Sequence, residues 1–220
     1  IEPYLSNIVL AGSILDKSNF DGKVELIENI CSGSMHISLA YAEASHSYEY
    51  LKPDTNVSDD NKLNGTKTLV LNGKNASKLI VSCVKNGQFS LVLVDKSAEG
   101  VSFNSFKTID EKTCSEFTFE NVSIQDSDVI ATGNEAKNLI NETINLATLC
   151  ISAEAVGCMV SCYHKTVQYT KEREQFDQPI SNFQVLQHRM VDMFIDSELA
   201  KSLLFKAMLE VDADSEDKFR

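Results

Sequence analysis

The spacing of apolar residues changes twice along the chain, and each change predicts a different kind of structure. In residues 1–34 the apolar positions recur about every three to four residues, as on one face of a helix. These positions are Val9, Leu10, Ile14, Val24, Leu26, Ile27 and Ile30. Ser32-Gly33-Ser34 then marks a stop. We therefore predict a helical segment that ends near residue 34.

Between about residues 35 and 131 the pattern becomes that of β-strands. The clearest stretch is KLIVSCVKNGQFSLVLVD, in which two β-rich runs, Leu79–Val84 and Phe89–Val94, flank Asn86-Gly87. This dipeptide tolerates positive φ at both central positions of a turn. The stretch therefore predicts a hairpin closed by a type I′ turn.

A second pair of strands is predicted at Lys67–Leu71 and Glu116–Ile124. In EFTFENVSI the alternation of apolar residues slips at Glu120-Asn121, which indicates a bulge or a turn. The polar stretch from Lys52 to Asn64 predicts a loop.

From about residue 134 the chain returns to a helical pattern. An apolar stripe that begins at Leu139 predicts one long helix, which ends near Arg173. A second helix is predicted to start near Asn182, where either Asn182 or Ser181 can cap it. The pattern thus predicts an α+β chain with a helical piece, a β domain and a region of long antiparallel helices. We place these three parts at residues 1–34, 35–131 and 132–220.

Composition narrows the classes of function. The chain has 220 residues, of which 43% are hydrophobic and 24% charged, as is ordinary for a globular protein. The formal net charge of −12 argues against nucleic-acid binding, which needs a basic face. Since no apolar run approaches the ~20 residues of a membrane span, we expect no span.

The six cysteines form no Cys-x-x-Cys pair, and no His pair stands near them at zinc-finger spacing. We therefore expect buried free thiols and no metal site. Free thiols and a start without a basic signal-peptide region favour a reducing, cytoplasmic location.

Three stretches of the chain resemble the acyl-CoA dehydrogenase family. The most specific is YTKEREQFDQPISNFQVLQHRMVDM, which is similar to the family's Arg-x-Gln-Phe-Gly, Pro-Ile, Gln and Gln-His-x-x-Ala-Asp-Met pattern. LNGTKTLVLNGKNASKLIVSC resembles its β-domain segment, and PYLSNIVLAGSIL with LIENICSGSMHISLAYAE resembles the helix that leads into its flavin loop. LAYAEAS is similar to small subunits such as that of pimeloyl-CoA dehydrogenase. The resemblance implies a helical N-terminal piece, a middle β-barrel or sandwich and an incomplete antiparallel helical bundle.

Arg173 is the candidate for holding a phosphate group. Its guanidinium presents donors in a flat fork that fits two phosphate oxygens. The alternative is an ion pair with Glu172 or Glu174 at an exposed helix end. The resemblance implies that Arg173 reaches across a subunit interface to the pyrophosphate of an FAD held by a neighbouring chain. It also implies FAD contacts from three nearby residues, which are Gln175, Phe176 and Gln184.

The loop at Leu39–Tyr48 departs from the family pattern. The resemblance implies flavin contacts from Tyr41 and Ala42, but Ala42 stands where the family has Thr. Glu43 is kept. His46 is interpreted as a solvated loop residue.

Two further departures lie elsewhere. Leu69-Val70-Leu71 replaces Trp-Ile-Thr, so Leu71 has no hydroxyl for the flavin, although backbone groups of this segment could still contact it. Asp177 replaces the Gly that follows Phe176 in the family. Asp tolerates a left-handed turn better than most residues, but its charge would be unfavourable near a pyrophosphate.

The resemblance implies FAD-dependent α,β-dehydrogenation of an acyl-CoA thioester, with electrons passed to an electron-transfer flavoprotein. It also implies a homo- or hetero-oligomer. This reaction needs a carboxylate base, which we expect beyond residue 220 or absent, so no catalytic residue is assigned. Glu154, Glu198 and Glu210 are predicted to be solvated. The alternatives are a non-catalytic structural subunit of a heteromeric dehydrogenase, and a flavin-dependent oxidase or hydroxylase on the same fold.

Overall fold

The computed structural model describes residues 3–45 and 49–212. The chain divides into two compact units, Ile1–Ile144 and Asn145–Arg220. The long helix α3 (Gly133–Glu172) contributes to both units.

The first unit begins with the predicted helical segment. Tyr4–Gly12 has π-type hydrogen bonding and continues into α1 (Ser13–Lys17), and α2 (Lys23–Cys31) follows. The prediction of helix is confirmed, except that the segment breaks at Ser18, whose extended backbone ends α1. Gly33, just beyond α2, has a φ of 75°, as the predicted stop requires.

Eight strands form the sheet in the described part of the first unit. They are β1 (Ile37–Ala40), β2 (Asn56–Val57), β3 (Lys62–Leu71), β4 (Lys78–Lys85), β5 (Gln88–Asp95), β6 (Val101–Lys107), β7 (Thr113–Ser123) and β8 (Val129–Thr132). The strand order is β6-β7-β3-β2-β4-β5-β8, with β1 parallel to β4. The α+β class is confirmed, while "barrel or sandwich" describes this sheet only loosely.

Both predicted strand pairs are present. Strands β4 and β5 pair antiparallel around Asn86 and Gly87, whose φ angles of 51° and 72° belong to a type I′ turn. Strands β3 and β7 also pair antiparallel, and their register shifts between Leu63 and Gly65, opposite the slip predicted at Glu120-Asn121. The bulge prediction is therefore confirmed.

The prediction of a loop from Lys52 to Asn64 is wrong in part. Asn56–Val57 forms β2, which pairs with both β3 and β4, and β3 already begins at Lys62. A strand of two residues is too short to show alternation in the sequence. It is held by its neighbours, and the Val57 side chain is buried.

The second unit contains the C-terminal part of α3, a short hairpin and α4 (Gln184–Asp212). The Thr170 hydroxyl donates to the Met190 sulfur at 3.3 Å, and the rings of Tyr163 and Phe194 lie 5.6 Å apart. Because residues later in α3 meet residues earlier in α4, the two helices are antiparallel, as predicted. Helix α4 begins two residues after the predicted start, because Ile180–Asn182 forms a 3-10 turn.

Among the described residues, α3 is the helix whose length and composition would allow it to cross a bilayer. Uncharged polar residues interrupt its apolar run, which is why inspection of the sequence missed it. One such helix is weak evidence, since helices of soluble bundles meet the same criterion. The expectation of no membrane span stays a prediction.

Candidate functional site

The segment after β1 carries the first two candidate residues. Strand β1 is buried beside β4 and ends at Ala40, so Tyr41 and Ala42 emerge directly from the core. The Ala42 carbonyl accepts a hydrogen bond from the Thr68 N–H at 2.9 Å, which joins this segment to β3. The half-buried Tyr41 ring meets Tyr50 edge to face, with ring centroids 5.9 Å apart. Burial raises the pKa of the Tyr41 phenol, and the electrostatic effect of the neighbouring Tyr50 raises it further.

Strand β3 bulges next to Thr68. The register with β7 shifts between Lys67 and Val70, and Leu69 adopts a φ of 51° with its side chain 57% exposed. A bulky residue in the left-handed region costs on the order of 1 kcal/mol or more, so the surrounding structure must impose this conformation. No local pattern in Leu69-Val70-Leu71 indicates this bulge.

Leu71, the third candidate in this unit, lies within the sheet. It pairs with Cys114 of β7 and is half-buried. Its carbonyl accepts a hydrogen bond from the Ser38 hydroxyl at 2.9 Å. The exposed side chain of this segment is therefore that of Leu69.

A buried ion pair, which was not predicted from the sequence, joins these two segments. The Lys67 side chain is fully buried, and its ammonium donates to Glu43 Oε1 at 2.7 Å and to the Ser82 hydroxyl at 3.0 Å. Glu43, 6% exposed, also accepts from the Asp54 N–H at 2.6 Å and from the N–H and hydroxyl of Thr55 at 3.1 and 2.6 Å. Only the charge of Lys67 inside a strand could have signalled this pair in the sequence.

Burial and hydrogen bonding act in opposite directions on these groups. Burial by itself raises the pKa of Glu43, but the hydrogen bonds from Lys67 and Thr55 outweigh it and hold that pKa below its ordinary value. Burial lowers the pKa of the Lys67 ammonium. The neighbouring Cys83 thiol is also buried, and its pKa is raised to about 12, so it has little thiolate character.

In the second unit, a tight hairpin follows the end of α3. Strands β9 (Glu174–Gln175) and β10 (Gln178–Pro179) pair antiparallel around Phe176 and Asp177, whose φ angles are 54° and 59°. Both central residues of this two-residue turn are thus left-handed, as in a type I′ turn. The prediction that Asp177 tolerates such a turn is confirmed.

Arg173 lies at the base of this hairpin. Its N–H donates to the Tyr169 carbonyl at 2.9 Å, and its own carbonyl accepts from the Ile180 N–H at 2.8 Å. Its side chain is exposed and, within residues 3–45 and 49–212, forms no ion pair with Glu172 or Glu174. The alternative interpretation, in which Arg173 neutralises one of these carboxylates, therefore has no support in this chain.

The neighbouring candidates are also exposed. The Phe176 ring, 85% exposed, meets Phe183 edge to face at 6.1 Å. The Gln175 side chain donates to the Glu174 carbonyl at 2.7 Å. Gln184 is the first residue of α4, and its side chain is exposed.

The structure thus forms two groups of candidates, one within each unit. The first contains Tyr41, Ala42 and Leu71, and the second contains Arg173, Gln175, Phe176 and Gln184. Their roles as cofactor ligands stay predictions. His46 lies outside the described residues. Of the predicted solvated carboxylates, Glu154 and Glu198 are exposed and Glu210 is half-buried.

Two protein-family models match the regions of the chain that contain the two groups of candidate residues. Residues 38–122 match the model described as "Acyl-CoA dehydrogenase, middle domain", and residues 137–220 match "Acyl-CoA dehydrogenase, C-terminal domain". The two matches cover most of the chain and contain all the candidate residues.

Individual proteins show the same likeness. The 3-(aryl)acrylate reductase of Clostridium sporogenes is 28% identical over 160 residues, which are 68% of this chain and 42% of that protein. The mitochondrial isovaleryl-CoA dehydrogenase of Solanum tuberosum is 28% identical over 162 residues, which are 69% of this chain and 39% of that protein. The chain spans about two fifths of the length of these curated relatives.

Among solved structures, a glutaryl-CoA dehydrogenase from Mycobacterium smegmatis in complex with FADH2 superposes with a TM-score of 0.87 at 23% identity. The superposition covers 96% of this chain and 57% of that one. At this identity the likeness shows the fold alone.

Proposed function

Because this chain belongs to the acyl-CoA dehydrogenase family, we propose that it is part of an FAD-dependent enzyme that desaturates an acyl-CoA thioester between Cα and Cβ. The observation that carries the proposal is the match to the family's middle and C-terminal domains, in that order along the chain. Since the chain spans about two fifths of the curated relatives, the substrate and the redox partner are part of the proposal.

The exposed residues of the second unit fit the diphosphate of FAD. Arg173 offers a planar fork of charge-assisted donors, which suits two oxygens of a diphosphate. Neither Glu172 nor Glu174 neutralises it, and the turn at Phe176 presents an aromatic face nearby. We propose that Arg173 binds the diphosphate of an FAD held by a neighbouring subunit, with Gln175, Phe176 and Gln184 around it.

The first unit fits the flavin ring system through backbone groups and apolar surface. Tyr41 and Ala42 leave the core beside the bulge, where the Leu69 side chain is exposed. When bound, FAD supplies the hydride acceptor for the reaction. The residues of this chain bind and orient it and exclude water from it.

The experiment is a titration of the whole natural protein with FAD, followed by assays of dye reduction with acyl-CoA thioesters of several chain lengths. We expect a yellow protein that reduces the dye with at least one thioester. A protein that stays colourless and inactive after addition of FAD would overturn the proposal.

A second candidate function is a non-catalytic subunit of a heteromeric dehydrogenase, which supplies Arg173 to a catalytic partner. Ala42 and Leu71 favour it, because neither offers the hydroxyl that the family resemblance implies at its position. Co-purification with a second dehydrogenase chain that carries the activity would support this function. A stable and active homo-oligomer would contradict it.

An electron-transfer flavoprotein is the proposed electron acceptor. It can be tested by replacing the dye with that protein in the same assay. Rapid reoxidation of the reduced protein in air would instead favour an oxidase or hydroxylase.

A further inference from the structure

Glu43 and Lys67 connect the two candidate flavin segments of the first unit. Glu43 comes directly after Tyr41 and Ala42, and Lys67 comes directly before the bulge at Thr68 and Leu69. The 2.7 Å ion pair between them is reinforced by the Thr68 N–H, which donates to the Ala42 carbonyl. Each segment is therefore fixed relative to the other at two points, one buried and one half-buried.

The carboxylate of Glu43 also anchors the return of the loop. Both of its oxygens are used, because Oε2 accepts from the Asp54 N–H and Oε1 accepts from Thr55 and Lys67. The chain that leaves the sheet at Tyr41 is thus held again at Asp54 and Thr55, just before β2 begins. The buried Glu43 side chain therefore joins the start of this connection to Asp54 and Thr55.

Gly65 shows that this arrangement depends on close approach. A Cβ at Gly65 would lie 2.5 Å from the Thr55 hydroxyl oxygen and 2.7 Å from its Cα, and Gly65 has a φ of 143°. A side chain there would displace Thr55, whose hydroxyl donates to Glu43. The segment after β1, the residues before β2 and strand β3 thus meet at the Glu43 carboxylate.

We propose that Glu43 and Lys67 are positioning residues, which hold the Tyr41–Ala42 segment and the Leu69 bulge in the geometry that receives the flavin. The inference rests on the proposed function and deepens it. A buried ion pair is weak evidence for stability, because desolvation of both charges offsets most of their attraction. In this protein, four hydrogen bonds join the pair to Asp54, Thr55 and Ser82, and these bonds fix Ala42 relative to Asp54 and Thr55.

The central test uses the double variant Glu43→Gln/Lys67→Met in the whole natural protein. Removing both charges avoids an unpaired buried charge, so the variant is expected to fold with a melting temperature near that of the parent. We expect its dissociation constant for FAD to rise about tenfold or more, because the two segments lose their common anchor. Flavin fluorescence during titration measures this constant.

Amide hydrogen exchange at Thr68 gives a second readout. Neither Glu43 nor Lys67 accepts the Thr68 N–H, which bonds to Ala42, so faster exchange there would report release of the loop from the bulge. The control is Ile30→Ala, a buried core substitution in α2 that lowers stability and lies outside the core cluster that borders the two segments. It is expected to change the melting temperature while leaving Thr68 protection and the FAD constant near parental values.

An unchanged FAD constant in the double variant would overturn the proposal, as would an FAD constant that follows melting temperature alone across all variants. A parent protein that binds no FAD would overturn the proposed function instead. In that case, amide hydrogen exchange at Thr68 in the double variant would decide whether the ion pair holds the Tyr41–Ala42 segment against the bulge. Unchanged protection of the Thr68 N–H would overturn the positioning role.

Discussion

Three residues without the freedom of glycine adopt left-handed backbone conformations at the candidate segments, namely Leu69, Phe176 and Asp177. Such conformations cost on the order of 1 kcal/mol or more for side chains other than Gly, Asn and Asp. Leu69 and Phe176 also expose most of their apolar surface. Backbone strain and exposed apolar area thus coincide at the places where the family resemblance implies cofactor contact.

Arg173→Met is expected to weaken FAD binding about 10- to 100-fold, because hydrogen bonds to a charged group each contribute about 1.5–3 kcal/mol. The measurement is the dissociation constant for FAD of the whole protein. Arg189→Met is the matched control, since Arg189 is also an exposed arginine, on α4 of the same unit. Equal constants for the two variants would contradict a specific role for Arg173.

Glu43 makes the stability of the first unit sensitive to acid. Its pKa in the folded protein lies below the ordinary value of 4.5, because Lys67 and Thr55 stabilise the carboxylate. The stabilisation is fully present above pH 4.5 and is lost as the pH falls through the folded pKa. Glu43→Gln should cost about 3–5 kcal/mol near neutrality, since it leaves the Lys67 charge buried and unpaired.

Urea denaturation of parent and Glu43→Gln between neutral pH and pH 3 measures this effect. We expect the difference in the free energy of unfolding to narrow as the solution becomes more acidic. Parallel curves over the whole range would show that Glu43 does not titrate with folding.

At the scale of elements, two hairpins use the same turn geometry but differ in how visible they are in the sequence. Asn86-Gly87 predicts its type I′ turn, because both residues favour positive φ. Phe176-Asp177 does not predict a turn of this type, and contacts with residues outside the turn hold its conformation. The Ile180 N–H donates to the Arg173 carbonyl and closes the hairpin against the end of α3.

Asp177 provides a test of that second turn. Asp177→Asn keeps a residue that tolerates the left-handed region but removes the charge, and Asp177→Gly relieves the conformation as well. If a diphosphate binds beside Arg173, both variants should bind FAD up to about fivefold more tightly, as for an exposed charge interaction. Tighter binding by Asp177→Gly alone would assign the effect to backbone conformation, and no change in either would place the diphosphate elsewhere.

At the scale of the whole molecule, α4 exposes several large apolar side chains. Leu199, Leu203 and Leu209 are 60%, 69% and 70% exposed. Leu199 and Leu203 are four residues apart and share one face of the helix, and exposed apolar side chains on one face are typical of an interface with another protein. In the oligomer that we expect, these side chains would pack against a neighbouring subunit.

The whole protein is therefore expected to sediment as a dimer or a larger oligomer. Leu203→Glu should shift it toward smaller species, because the charge would be buried without a partner in the assembly. Lys206→Glu is the control, as a charged and exposed position of the same helix. Analytical ultracentrifugation, with circular dichroism to confirm folding, distinguishes the outcomes, and a monomeric parent would contradict the prediction.

The amino-acid sequence by itself determined the features that depend on short-range energetics. The helical and β regions follow from the spacing of apolar residues. The β4–β5 turn follows from Asn86-Gly87, and the bulge opposite Asn64 follows from the slip at Glu120-Asn121. The Arg173 motif could be identified with a family because its residues are contiguous. Each of these signals lies within a few residues of the feature it predicts.

Only the tertiary structure decided the features that depend on distant partners. Glu43 and Lys67 are 24 residues apart, and no local pattern shows that their charges are buried together. β2 exists because β3 and β4 flank it, and the Leu69 conformation exists because β7 and the Ala42 carbonyl fix its neighbours. A buried charge or a strained backbone is unfavourable by itself, so only the contacts that compensate it can explain its place.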